Sequence, residues 1–319
     1  MTASTNEASR RNGVTAVHSL QHFAFSVPDL DVAEHFYSEF GLDVRRAATR
    51  IDLHTFGNPH CWGSVFEVPG KKKLQFLSFG VFEDDFAPLL QQLDRVGVAR
   101  TAPHPLSDGA GIWLRDPDGN AVQLITAGKV SPNEPALRAS PSPRPRDRGA
   151  APARSQAGRV HPRRMSHVLL FSSNVPRSVK FYGDALGLRL SDRSGEIIAF
   201  MHGAHSSDHH MVAFAKSAGP GYHHSSWDVA SIDDIGLGMQ HMVACGHVRG
   251  WGIGRHVIGS NYFYYVQDPW GSFAEYSYDI DFIAADVDWP AADHPPEDSF
   301  YVWGPPPPDY FIQNHEVTT

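Results

Sequence analysis

The chain repeats one pattern twice, and that repetition constrains its fold more than any other feature. His22-Phe23-Ala24-Phe25-Ser26-Val27 opens one half and His167-Val168-Leu169-Leu170-Phe171 opens the other. Each is a short apolar run of the kind that forms a buried strand. Helical spacing follows both, with Val32, Phe36, Tyr37 and Phe40 in the first half and Val179, Phe181, Tyr182 and Leu186 in the second. Phe36-Tyr37 lies at the same offset from His22 as Phe181-Tyr182 does from His167. Gly41-Leu42 and Gly187-Leu188 are good helix stops, because glycine accepts the left-handed backbone that closes a helix. A second unit follows in each half. Residues 74–79 read as a strand and 83–96 as a helix, with Pro88 near the helix start, where its missing N–H costs nothing. Their partners are 224–229 and 233–244. Each half closes on two strands around a tight turn, Asp116-Pro117-Asp118-Gly119 in one and Asp268-Pro269-Trp270-Gly271 in the other. In such turns Pro presets φ and Gly tolerates positive φ.

Each half therefore holds two units of strand, helix and about three strands. The expected fold class is α+β, with two domains, each of paired βαβββ modules forming an open mixed-sheet barrel around a cleft. A length of 319 residues suits two domains at roughly 150 residues each. The expected limits are a disordered N-terminus over 1–16, an N-terminal domain over 17–128, a Pro/Arg-rich linker over 129–164, a C-terminal domain over 165–283 and an aromatic, Pro-rich tail over 284–319. The tail carries Trp289, Phe300, Tyr301, Trp303, Tyr310 and Phe311. A docked strap and a free tail both remain open.

Composition narrows the function classes. The net charge of −8 argues against a nucleic-acid partner, which usually meets a basic domain. No stretch approaches 18 apolar residues and no secretory leader is visible, so no membrane partner is expected. Two cysteines, Cys61 and Cys245, exclude a disulfide scaffold and fit a reducing compartment, the cytoplasm. The unusual count is 19 histidines, and histidine is the commonest metal ligand.

Their placement in the second half carries a resemblance. His167 stands in Met-Ser-His-Val, His209-His210 in Asp-His-His-Met-Val-Ala-Phe and His223-His224 in Tyr-His-His-Ser-Ser-Trp-Asp-Val. His256 follows in Gly-Arg-His, then Tyr265, then Glu275 in Ala-Glu-Tyr. In this order and spacing the sequence resembles the vicinal oxygen chelate superfamily, and most of all its type I extradiol ring-cleavage dioxygenases. The resemblance implies that His167, His224 and Glu275 hold one Fe(II), with Mn(II) as an alternative. Two imidazoles and a carboxylate on one side of an ion are the arrangement of non-heme Fe(II) oxygenases. It further implies His210 as the proton-transfer group, with His256 and Tyr265 against the substrate oxygens. The substrates would be an aromatic diol and O₂, and homo-oligomerisation is expected as in that family. Strand alternation puts His223 and His224 on opposite faces. Periodicity cannot choose between them; the family pattern favours His224, leaving His223 as a packed neighbour. His209 reads as structural.

The first half differs by its residues. His22 matches His167, but Gln123 matches Glu275 and a position near Phe76 matches His224. An amide and a phenyl ring cannot make the same charged triad, so this domain is expected to carry no metal site. Two other readings stay open: a glyoxalase-like isomerase or thiol transferase, and a non-catalytic small-molecule-binding member of the same fold. The substrate pocket is expected around Phe200, Met201, Phe214, Trp251, Ile253 and Tyr264.

Overall fold

The computed structural model describes residues 9–136, 147 and 149–317, so residues 1–8, the stretch 137–146 with 148 in the linker, and 318–319 lie outside the described residues. The first half forms one eight-stranded sheet. It comprises β1 (Ser19–Val27), β2 (Asp43–Arg46), β3 (Arg50–His54), β4 (Gly63–Glu67), β5 (Lys73–Val81), β6 (Arg100–Thr101), β7 (Ile112–Arg115) and β8 (Ala121–Thr126), in the order β2-β3-β4-β1-β5-β8-β7-β6. The second half repeats that order with β9 (Arg164–Ser172), β10 (Arg189–Ser194), β11 (Ile198–His202), β13 (Val212–Lys216), β14 (Gly221–Asp228), β15 (Gly250–His256), β16 (Tyr262–Gln267) and β17 (Phe273–Tyr278). β19 (Ala292–Asp293) and β20 (Tyr301–Trp303) extend its two edges, giving β19-β10-β11-β13-β9-β14-β17-β16-β15-β20. β12 (Ser207–Asp208) and β18 (Phe282–Ile283) make a separate two-stranded ribbon. The α+β class and the doubled module are both present.

The repetition extends to register. His22 opposes Ser78 and His167 opposes Ser226 across antiparallel pairs. Ser78 neighbours Gln123 and Ser226 neighbours Glu275 across parallel pairs. Counting from the Asp-Pro-X-Gly turn therefore led to equivalent positions in space.

Among the described residues the α-helices are α1 (Leu30–Phe40), α2 (Glu83–Arg95), α3 (Val175–Leu186) and α4 (Ile232–Ala244), and α1, α3 and α4 pack against the sheets. Asp29 and Asn174 cap α1 and α3 by accepting from Val32 N and Arg177 N. Gly41 closes α1 at φ 101°, and a Cβ there would lie 2.2 Å from the Val160 carbonyl oxygen, so only glycine fits. Pro88 is not in the first turn of α2 but at its sixth position, one turn inside.

One apolar core runs through both halves. Phe36, Phe40, Phe79, Tyr182, Phe214, Trp227 and Tyr276 are all buried in it. Phe40 stacks on Tyr276 at 4.0 Å, and the Tyr276 hydroxyl donates to the Phe40 carbonyl at 2.8 Å. The linker end joins this core through Val160. Disorder expected over 1–16 does not extend over 9–16. Arg10 pairs with Asp84 and Asp85, Arg11 with Asp288, and Ala16 is fully buried. Among the described residues no helix is long and apolar enough to cross a membrane.

At the seam lies a buried ion pair. Lys72 meets Asp268 of the second turn, and its ammonium lies 4.0 Å from the Phe25 ring centre and 4.8 Å from that of Tyr222. Burial lowers the Lys72 ammonium pKa while Asp268 opposes the shift. Removing one partner of such a pair leaves an uncompensated charge. Lys72→Met is expected to lower stability by about 3–5 kcal/mol in urea denaturation, and adding Asp268→Asn to recover much of it.

Burial also holds four histidines outside the second-half cleft far below their ordinary value, His18, His22 and His205 at about 4 and His202 at about 3. The unfolded chain takes up their protons first, so stability is lost as pH falls below about 6.5, by up to about 1.4 kcal/mol per pH unit per group. The thermal midpoint should fall steeply between pH 7 and 5; a flat profile would contradict the burial of these imidazoles.

Candidate metal centre

β9, β14 and β17 lie side by side, and each delivers one side chain to the same buried point. His167, His224 and Glu275 are 3%, 2% and 0% exposed. The Nε2 atoms of the two histidines are 3.3 Å apart. Glu275 Oε2 lies 3.4 Å from His167 Nε2 and 3.6 Å from His224 Nε2.

The groups behind these atoms fix where the protons are. Ser166 donates to Asp208 at 2.9 Å, so its oxygen accepts from His167 Nδ1–H at 3.2 Å, leaving Nε2 bare. The Phe311 carbonyl can only accept, so His223 Nε2–H donates to it at 2.7 Å. Neutral His223 then has a bare Nδ1, which accepts from His224 Nδ1–H at 2.6 Å, leaving His224 Nε2 bare as well. Asn261 Nδ2 donates to Glu275 Oε1 at 3.1 Å, while Oε2 has no hydrogen-bond partner. Three lone pairs thus face one another with no donor between them. Ligands about 2.1 Å from an ion stand about 3 Å apart, close to the spacing here. An oxygen-and-imidazole set of this kind suits a divalent first-row metal. Burial, reinforced by neighbouring imidazoles, keeps His224 and His210 neutral.

The other expected site residues surround the same point. The His210 ring lies tilted against that of His167, 4.0 Å between ring centres. His256 Nδ1–H donates to the Phe300 carbonyl at 2.9 Å, so its Nε2 accepts from the Tyr265 hydroxyl at 3.0 Å. Burial raises the Tyr265 pKa well above its ordinary value, as does Glu275 beside it. A cavity of about 310 Å³ opens over these groups, within the size of small-ligand sites.

Three residues matter more than the sequence pattern indicated. His223 is not a neighbour on the outer face. Tyr222 opposes Leu170 and His224 opposes Leu169, so His223 is the extra residue of a β-bulge and faces the cavity beside His224. His209 is tied to Asp192 at 2.8 Å through Nε2, and its Nδ1 meets His210 Nδ1 at 3.1 Å. Asp192 thereby orients His210 through His209, leaving His210 Nε2 bare. Asn261 anchors the carboxylate. The expected pocket lining needs correction: of the six residues only Phe200 lines the cavity. Met201, Phe214 and Tyr264 are in the main core, Ile253 packs against it, and Trp251 belongs to an aromatic cluster with Phe311. Strand alternation sends Met201 away from the face that Phe200 occupies. The walls are instead Leu169, Phe171, Ile198, Ile258, Phe300 and Phe311.

In the first half the equivalent positions hold His22, Phe76 and Gln123. Counting back from Gly63 and Val212, which pair with Phe23 and Val168, puts Cys61 at the place of His210. Phe76 stacks on His22 at 5.9 Å and meets Trp113 edge-on at 5.2 Å. Phe76 and Trp113, with Phe66, Ala24 and Ala121, make a small apolar cluster at the place of the second half's candidate metal face.

Glu275→Gln keeps the size of the side chain and its contact with Asn261 but removes the charge. Its affinity for Fe(II) in chelator competition should fall by more than about 100-fold, beyond the effect of losing an outer partner.

A family model described as the glyoxalase/bleomycin resistance protein/dioxygenase superfamily matches residues 19–124 and 164–276. The chain is 50% identical over 305 residues to metapyrocatechase 2 of Cupriavidus necator, covering 95% of this chain and 93% of that one. It superposes with a TM-score of 0.72 and 19% identity on an extradiol ring-cleaving dioxygenase from B. fuscum, covering 97% of this chain and 84% of that one. A Mn(II)-bound glyoxalase from Novosphingobium aromaticivorans superposes at 0.71 with 22% identity, covering 92% and 93%. The last two likenesses establish the fold alone. The chain belongs to the glyoxalase/bleomycin resistance protein/dioxygenase superfamily, in its extradiol dioxygenase branch.

Proposed function

We propose that the protein opens the ring of a catechol-type diol next to its two hydroxyls, inserting both atoms of O₂. Fe(II) is the metal we assign to His167, His224 and Glu275, with Mn(II) as the alternative. The observation that carries this reading is the set of three converging lone pairs with His210, His256 and Tyr265 around them. One carboxylate against a dication leaves one positive charge, which a singly deprotonated diol neutralises. The ion, when bound, supplies open positions for both diol oxygens and O₂, and electronic contact between them.

The remaining steps belong to the protein. His256 Nε2 is bare and placed to take a proton from a diol hydroxyl, with its ring held by the Phe300 carbonyl. The Tyr265 hydroxyl, now pointing at His256, is the donor available to the other substrate oxygen. His210, oriented through His209 by Asp192, accepts a proton at Nε2 and returns it as the O–O bond breaks. The ring carbon–carbon bond beside the diol is cleaved, the aromatic substrate is oxidised and O₂ is reduced, giving a ring-opened semialdehyde-type product. Apolar walls orient the ring and exclude water.

The glyoxalase-like and binding-only alternatives make no use of this three-residue proton apparatus. The cavity also argues for a substrate class. Apart from the histidines, its charged lining is Glu275 and Lys216, and the Lys216 ammonium is engaged by the Ser173 carbonyl. Ile197 and Ile312 line it while remaining 56% and 72% exposed, which makes an apolar mouth. Alkyl- or aryl-substituted catechols fit this chemistry better than carboxylated ones. A homo-oligomer suits the exposed Val302 and Trp303 on edge strand β20, and the free thiols Cys61 and Cys245 suit a reducing cytoplasm.

Anaerobic loading with Fe(II), then addition of catechol and air, should consume O₂ and form a coloured ring-opened product. Neutral alkyl- or arylcatechols should exceed a carboxylated catechol in kcat/KM by at least about tenfold, as expected when a buried charge finds no partner. Absence of O₂ uptake across the panel, with turnover of a glutathione hemithioacetal on Ni or Zn, would instead favour the isomerase.

A further inference from the structure

The C-terminal tail reaches into the metal site by its backbone. The Phe311 carbonyl accepts from His223, and His223 accepts from the metal-facing His224. His223 is 4% exposed, with Phe171, Phe273 and Phe311 rings 4.8–5.3 Å from its own. This apolar cage disfavours a cationic imidazole. The proton order is therefore fixed in one direction, from the tail carbonyl to the lone pair that His224 presents. The same tail holds a second site histidine independently, His256 through the Phe300 carbonyl. Its docking has further anchors away from the cavity. Asn314 donates to Ser217 Oγ and to the Gly219 and Pro220 carbonyls at 3.0–3.1 Å, and Glu316 accepts from Leu74 N and Tyr222 N.

We propose that His223 is a positioning residue through which the docked tail and the bound metal stabilise each other. Without the Phe311 carbonyl, His223 has no fixed proton arrangement, and the partner that keeps His224 Nδ1 protonated is lost. Outer partners of metal-bound histidines commonly contribute 10–100-fold to metal affinity. Coupling is reciprocal, so a metal held more tightly by a docked tail must also hold the tail more tightly. This inference rests on the ligand assignment of His167, His224 and Glu275.

The test uses the full chain loaded anaerobically with Fe(II), timing metal release to a chromogenic chelator. His223→Phe, which keeps a ring but neither hydrogen bond, should release Fe(II) about 10–100-fold faster. His223→Gln, whose amide can donate to Phe311 and accept from His224, should restore most of the retention. Asn314→Ala, remote from the cavity, should loosen the tail and speed release as well, and it decides the matter if His223→Phe does not fold. In the unaltered protein, amide hydrogen exchange over residues 309–317 should slow when Fe(II) binds. Fe(II) release unchanged in both His223→Phe and Asn314→Ala, or tail exchange indifferent to metal, overturns the proposal while leaving the metal site intact. A wild-type chain that takes up no Fe(II) overturns the ligand assignment and the proposal with it.

Discussion

Three electron pairs meet in the interior of the second sheet with no proton between them, and much of the surrounding structure serves that meeting. A buried carboxylate oxygen without a hydrogen-bond partner is costly, and two bare imidazole nitrogens beside it add no relief. Each of the three atoms is kept in that state by a group behind it: Asp208 through Ser166, Phe311 through His223, and Asn261 directly. The site is thus preorganised by hydrogen bonds that point away from it. A cation bound at this point would relieve the repulsion among the three atoms.

The two halves show how little must change to gain or lose such a centre. Their strand orders and registers coincide, so His22, Phe76 and Gln123 stand where His167, His224 and Glu275 do. Two of the three positions differ in chemistry. In the first half, Phe76 and Trp113 fill the space with rings, and the Ser78 hydroxyl donates to Gln123. There the Gln123 amide is engaged by Ser78 and the Ala110 carbonyl, and His22 Nδ1 by the Cys61 carbonyl, so no set of converging acceptors forms. The first half retains the helices and strands that build the shared core, with Phe40 against Tyr276 at its centre.

The repeat, the strands around His22 and His167 and the turn at Asp268 were legible in sequence because they depend on local pattern, although each strand begins three residues before its histidine. So was the gathering of His167, His210, His224, His256, Tyr265 and Glu275 around one cavity, since their order along the chain follows the module. The roles of His209 and His223 were not legible. Adjacent residues in a regular strand face opposite ways, and only the bulge at His223 brings both rings of that doublet to the cavity. Nothing in the sequence marks the bulge. The phase of β11 decided whether Phe200 or Met201 lined the pocket, and periodicity of a short apolar run does not fix phase. The aromatic density of the tail hinted at docking, but the contacts that matter are the carbonyls of Phe300 and Phe311, and every residue has a carbonyl. Asp192 lies 17 positions before its partner His209, beyond any local pattern.

The hold of Phe311 on His223 and of Phe300 on His256 has a consequence for biogenesis. A ribosome releases the N-terminal sheet first, then the strands that carry His167, His224 and Glu275, and the segment around Phe311 after both. A nascent chain can therefore complete its hydrophobic interior, joined across Phe40 and Tyr276, before the centre acquires its final hydrogen-bonded shape. Translation halted before Phe300 would leave both His223 and His256 without the carbonyls that orient them.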